Sequence, residues 1–293
     1  EERTEPENVI GEIVANGAEY EEADTTNEIA DVQGELTNNG TYYFVQNEDG
    51  TLTPTNSKTY QQEINGENAD GIQNSIANSY VPIDLSGKEG KYVVVVNAQV
   101  WSENNYDYGY ATITNSTTVP PYSSSTGRFM YITGTSSSVT TAKDYTSTVL
   151  EGGQTYYLHL GYRKDSSGDA GEDQVTINSV KVYKAKNVTY NFIENEGKYE
   201  SNNQGKDNTT ANSYIPIDLT EYTGKYNLTV NAQISSESSD YGYATITNST
   251  TAPVYSSSTG RFIYISGTDE EDTTPTDYTT VLQGGQMYYL HLG

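Results

Sequence analysis

The chain says most of its words twice, and that repetition limits what it can fold into more than any other feature. "ANSYVPIDL" (Ala77–Leu85) returns as "ANSYIPIDL" (Ala211–Leu219), and "YGYATITNSTT" runs over both Tyr108–Thr118 and Tyr241–Thr251. "YSSSTGRFMYITGT" (Tyr122–Thr135) matches "YSSSTGRFIYISGT" (Tyr255–Thr268), and upstream "TYYFVQNE" (Thr41–Glu48) resembles "TYNFIENE" (Thr189–Glu196). The offset is about 130 to 150 residues, far above the roughly 20 to 50 of a solenoid, so the copies are tandem domains. The reading divides the chain into an extended acidic segment over 1–40 with a strand at 9–15, one repeat over 41–186 and a second over 187–293. Between the repeats lies only a short linker, "KAKN" (Lys184–Asn187).

Within each copy the local pattern is β. "KYVVVVNAQV" (Lys91–Val100), "YATIT" (Tyr110–Thr114), "RFMYITG" (Arg128–Gly134), "TYYLHLGY" (Thr155–Tyr162) and "QVTINSVKVY" (Gln174–Tyr183) are short runs of β-branched and aromatic residues. Gly, Asn, Asp and Ser clusters separate them, as the turns of a sandwich require. Val93–Val96 is apolar on both faces and belongs in the middle of a sheet. No helical periodicity stands out. The expected fold is all-β: two tandem antiparallel β-sandwiches, jelly-roll-like, behind an extended N-terminal segment.

The apolar content, 33%, would suit a disordered chain, but 28 of its residues are Tyr, against 4 Phe and 1 Trp, set in alternating runs. A Tyr ring buries area while its hydroxyl stays wet, which suits a strand with one face in water. A net charge of −25, from 40 acidic and 15 basic residues, repels phosphate backbones and anionic lipid, so nucleic acid is excluded as a partner. The chain has no cysteine, hence no thiol chemistry and no thiolate metal site. No stretch is apolar enough to span a membrane, and membrane insertion is not expected. The expected address is extracellular, at the cell surface.

"VIGEIVA" (Val9–Ala15) is an apolar island among acidic neighbours. In an extended strand Val9, Gly11, Ile13 and Ala15 share one face, and Ile10 and Val14 the other. Such a peptide wants a slot: it either covers its own first domain or passes to another subunit, with Val9, Ile10, Ile13 and Val14 as candidate donor residues. "GGQTYYLHLGY" (Gly152–Tyr162) is followed by a loop and "QVTINSVKVY", whereas "GGQMYYLHLG" closes the sequence at Gly293. The repeat therefore predicts a further strand for the second domain, whose absence leaves an open sheet edge. A longer native chain supplies it, or another subunit does, which would make head-to-tail filaments.

Enzyme chemistry finds little purchase. The two histidines, His159 and His291, occupy matched positions of the repeat, and no asymmetric His–Ser–Asp set accompanies them. "DSSGDAGED" places Asp165, Asp169, Glu172 and Asp173 in one loop, the candidate calcium ligands; the bland alternative is a solvated acidic turn. Calcium is the one cofactor considered. If Ala111 and Ile113 point inward, Tyr110 points out, and by the same alternation Tyr131, Tyr157 and His159 share a face; Tyr243, Tyr264, Tyr289 and His291 repeat it. Exposed rings of this kind stack on sugars, or simply serve as amphipathic face residues. Lys91 and Lys225, near the matched Asp84 and Asp218, admit an isopeptide cross-link.

"LEGGQTYYLHLGYRKDSSGDAGEDQVTINSVKVY" (Leu150–Tyr183) and "DYGYATI" resemble tandem jelly-roll, carbohydrate-binding-like modules of large secreted or wall-attached Gram-positive bacterial surface proteins. The resemblance implies surface display with an adhesive or structural role. The expectation is thus a non-catalytic surface protein that associates with itself or other surface proteins, a filament subunit assembling by strand complementation. The alternative is a pair of carbohydrate-binding modules with glycans as partners.

Overall fold

A computed structural model of the chain describes residues 6–166, 168–269 and 272–293. They form two compact units: Glu21–Lys186, and Asn187–Gly293 together with the N-terminal stretch up to Tyr20. Among the described residues no helix is long and apolar enough to cross a membrane.

The strands in chain order begin with β1 (Val14–Ala15), β2 (Glu19–Asp31), β3 (Thr37–Asn38), β4 (Phe44–Gln46) and β5 (Leu52–Pro54). There follow β6 (Ser75–Asp84), β7 (Lys91–Trp101), β8 (Tyr108–Thr114), β9 (Arg128–Thr133), β10 (Lys143–Thr146), β11 (Leu150–Glu151), β12 (Thr155–Lys164) and β13 (Gln174–Thr189). One sheet of the first unit runs β3-β6-β12-β8-β9 and the other β10-β7-β13-β5-β4, all antiparallel, with β11 also on β7 and β2 on β13. Period-2 alternation builds the core. Val81, Ile83, Leu158 and Leu160 from one sheet pack with Val94, Val96, Val180 and Val182 from the other, each at most 1% exposed. Each such side chain contributes about 1.5–3 kcal/mol by leaving water. β7 lies inside its sheet, flanked by β10 and β13, and in its Val93–Val96 run Val93, Val94 and Val96 are buried and Val95 is half-buried.

One element departs from the sequence reading. Lys58–Asn65 is an α-helix, α1, capped by Ser57, whose hydroxyl accepts from the Tyr60 amide at 3.2 Å. It buries only Gln61, so no apolar stripe announces it.

The second unit continues with β14 (Phe192–Asn195), β15 (Lys198–Ser201), β16 (Ser213–Asp218) and β17 (Lys225–Ala232), then β18 (Tyr241–Thr247), β19 (Arg261–Ser266), β20 (Thr276–Gln283) and β21 (Met287–Leu292). Its larger sheet runs β1-β16-β21-β18-β19, while β17 pairs with β20 and β14 with β15. Val14 faces Tyr214 and Ala15 faces Ser213, the register in which Thr37 and Asn38 face Tyr80 and Ser79 in the first unit. β1 thus does for the second module what β3 does for the first. The segment that the sequence offered to the first domain lies on the second.

Candidate functional site

Three places hold the residues singled out by sequence. The N-terminal strand is seated on β16. The Asp218 amide donates to Val9 O and the Gly11 amide to Pro216 O, each at 2.8 Å, and Ile10 bridges Ile217. Val9 and Ile13 pack on the core of Ile215, Ile217 and Leu290, whereas Ile10 and Val14 are 60% and 39% exposed. The strand covers one surface and leaves an apolar outer face.

The acidic loop after β12 is organised by a residue the reading passed over. Leu158, Leu160 and Tyr162 point into the core, and the same alternation carries Lys164 inward to complete burial. Its Nζ lies 2.8 Å from Asp173 Oδ2, 3.1 Å from Asp169 Oδ1 and 3.6 Å from Asp107 Oδ2, and donates to Gly168 O at 2.8 Å. Asp107 and Asp173 are 0% exposed. Burial pushes the Asp173 carboxyl up to about 7, helped by a hydrogen bond shared with Asp169 and opposed by Lys164. Burial raises Asp107 too, against the Asp165 amide, which donates to it at 2.9 Å, and against Lys164. Asp169 goes the other way: its own burial is outweighed by hydrogen bonds from Asp173 and Lys164.

The four candidate calcium ligands therefore do not converge. Asp169 and Asp173 serve the internal ammonium, and Glu172 is exposed, with its carbonyl accepting from the Thr59 amide. Asp165 groups instead with Glu103 and Asp107, whose carboxylate oxygens lie within 4.8 Å of one another. Calcium takes about six to eight oxygens, and here Asp107 already accepts from the Asp165 amide and lies 3.6 Å from the Lys164 ammonium. Asp107 and Glu103 sit outside the loop in sequence, so spacing could not find them; the inward parity of Lys164 on β12 was the available signal.

The aromatic face divides. Tyr110, His159, Tyr243 and His291 lie off the core side of their sheets, yet all are buried, at 3%, 1%, 6% and 1% exposure. The Tyr110 ring occupies the space that a side chain at Gly161 would need, 2.1 Å from its Cβ position, and Tyr243 does the same over Gly293. His159 Nε2 lies 2.8 Å from Ser116 O and 3.0 Å from Thr114 Oγ1; His291 repeats this with Ser249 and Thr247. Burial holds both imidazoles below their ordinary pKa, against the carbonyl bond. These histidines pin the loop after β8 and after β18. Tyr157 and Tyr289 are half-buried and edge-on to Tyr80 and Tyr214.

Tyr131 and Tyr264 remain open, at 44% and 47% exposure. Each stacks on a neighbour, Tyr108 at 4.5 Å and Tyr241 at 4.9 Å, under a guanidinium, Arg128 at 4.1 Å and Arg261 at 4.9 Å. The cross-link candidates have other partners: Lys91 pairs with Glu21, and Asp84 accepts from Ser86 and Thr155.

No known protein family and no curated protein matches this chain. Among solved structures it is similar to one described as "The Triple Jelly Roll Fold and Turret Assembly in an Archaeal Virus", at 12% identity and a TM-score of 0.19. That match covers 73% of this chain and 54%, about half, of the other. A likeness so slight bears no functional argument, and the β-sandwich assignment rests on the sheets themselves.

Proposed function

We propose that this is a non-catalytic extracellular surface protein with a structural or adhesive role, whose copies join by strand complementation. One observation carries the reading: the edge of the second module's sheet is completed by Val14–Ala15, which the whole first module separates from it in sequence. The contact consists of backbone hydrogen bonds and the side chains of Val9 and Ile13. The same segment of a neighbouring copy can make it without any change in chemistry, and exchange of an identical element is a low-cost route to assembly. The outward Ile10 and Val14 add apolar surface for a neighbour to cover. A net charge of −25 keeps such an assembly soluble.

The test is deletion of residues 1–18, with mass measured by light scattering over a range of concentrations. The full chain should form concentration-dependent oligomers and the truncated chain should not. A full chain that stays monomeric, or a truncated one that assembles as well, defeats the reading.

A second reading, a pair of carbohydrate-binding modules, draws on the open Tyr131 and Tyr264 and the guanidinium beside each. Glycan-array binding that disappears in a Tyr131→Ala, Tyr264→Ala double variant would favour it over the first.

A further inference from the structure

We infer that Lys164 and Asp173 condense to an amide, a covalent link between the end of β12 in one sheet and the start of β13 in the other. The link is independent of the strand-complementation reading, because every group it uses lies within the first module.

The local structure sets the pair up. Parity on β12 turns Lys164 inward after Leu158, Leu160 and Tyr162, and Asp173 directly precedes β13. Lys164 is 1% exposed and Asp173 0%, so water solvates neither charge. The lysine stem is confined too: a side chain at Gly71 would press on its Cε, which lies 2.9 Å from the Cβ position. Asp173 has a φ of 46°, a left-handed backbone that residues other than glycine adopt only where the surroundings impose it. Both partners are therefore held in place before any reaction.

The contacts suit attack at a carbonyl. Nζ lies 2.8 Å from Asp173 Oδ2, so the carboxyl carbon is one bond further on, near the separation from which positioned groups react. Asp173 Oδ1 accepts from the Ala170 amide at 3.1 Å, a donor placed where negative charge gathers as that carbon becomes tetrahedral. Asp107 Oδ1 is tied to the Asp165 amide at 2.9 Å, while its Oδ2 lies 3.6 Å from Nζ with no hydrogen bond of its own, free to relay protons. Asp169 also approaches Nζ, at 3.1 Å, but its side chain is 20% exposed and stays in contact with water.

The step balances within the cluster. Burial raises the Asp173 carboxyl to about 7, and although burial also works to lower the Lys164 ammonium, its carboxylate partners raise it on balance. The proton must therefore be handed over inside the pair: one passes from Nζ to Asp173 Oδ2, giving an amine and an acid. Nζ bonds the carboxyl carbon, a second proton follows from nitrogen to Oδ2 through Asp107, the bond from carbon to Oδ2 breaks, and water leaves. No oxidant or co-reactant enters. Burial keeps out the water that would reverse the step, and the amide N–H that remains faces Asp107. Until the bond closes, the two groups are the buried ion pair, with that pair's stability and titration.

The experiment is peptide mass spectrometry of the folded full chain after incubation at neutral pH. Trypsin cuts after a free lysine, so an open chain releases Asp165–Lys181, whereas the linked chain releases Lys164–Lys181, one water lighter than its sequence. Fragmentation of the linked peptide should give no backbone products within residues 164–173 and a full series beyond them. Lys164→Arg and Asp173→Ala should release the open peptide, and Asp107→Asn should slow closure after refolding by about 100-fold. The wild-type peptide decides the matter even if a variant fails to fold. An open peptide that persists through prolonged incubation overturns the inference. So does a link to Asp169, which fragments between 169 and 173 would reveal, or to Asp107, which would join a second peptide. A water loss that hydroxylamine reverses, with Lys164 still cleavable, marks a backbone succinimide and overturns it as well. Closure of Asp107→Asn at the wild-type rate would overturn the relay.

Discussion

The Lys164 ammonium lies 2.8 Å from the Asp173 carboxylate, with neither side chain exposed to water. Ion pairs at a surface contribute about 0–1 kcal/mol, but removing one partner of a buried pair strands the other charge and costs about 3–5 kcal/mol. Lys164→Met should therefore lower the unfolding free energy of the first unit by about 3 kcal/mol or more, because Asp107 and Asp173 lose their cation together. Adding Asp173→Asn to Lys164→Met should recover part of the loss, as chemical denaturation of the single and double variants will show. Equal stability of wild type and Lys164→Met would mean that water, rather than the ammonium, solvates these carboxylates.

The same pair sets a pH dependence whose sign can be worked out. The native Asp173 carboxyl titrates near 7, above the ordinary carboxylate range, so between about 4 and 7 the folded state holds a proton that the unfolded state has released. This group's contribution is complete at low pH and is lost as pH rises through 7. Asp169, held low, loses its contribution only as the solution becomes more acidic than that window. Subtracting the Asp173→Asn stability curve from that of wild type between pH 4 and 8 should leave a downward slope. A flat difference would show that burial does not raise the Asp173 carboxyl in the native state.

On the N-terminal strand, alternation makes a sharper claim than apolarity. Ile13 packs on the second module's core and Ile10 is 60% exposed, three residues away on the opposite face. Ile13→Asp should destabilise that unit by about 2–4 kcal/mol by placing a charge against apolar surface, while Ile10→Asp stays within about 0.5 kcal/mol. Thermal unfolding of the two variants decides it, and equal effects would mean the strand does not hold this register.

These cases also show how much could be read without coordinates. Period-2 alternation was legible wherever one face of a strand meets the core, as on β12, and the repeat marked matched strands because it preserves side-chain type. Neither could say what covers the opposite face. Tyr110 and His159 point away from the core as expected, but are buried by the loop after β8 and by an approach across Gly161 that depends on a neighbouring strand. Lys164 joins Asp107 to Asp173 across the end of a sandwich, and long-range convergence of this kind leaves no local spacing. The seat of the N-terminal strand was hidden for the same reason: Val14 meets Tyr214, and the whole first module separates the two in sequence.

The repeat finally allows one strand to be measured against itself. Val94 and Leu228 occupy matched positions on β7 and β17, the first 0% exposed with β13 beside it in the sheet, the second half-buried. Val94→Ala removes two buried methyl groups, at about 0.8 kcal/mol each, and leaves a cavity, so about 2–3 kcal/mol should be lost from the first unit. Leu228→Ala removes more carbon, yet much of its surface already meets water and the site can relax toward solvent, so the loss should stay under about 1.5 kcal/mol. Chemical denaturation with a probe in each unit separates the two transitions. If the larger truncation costs more, the second module's core is closed over β17 by something other than a paired strand, and the comparison between the two copies fails at that position.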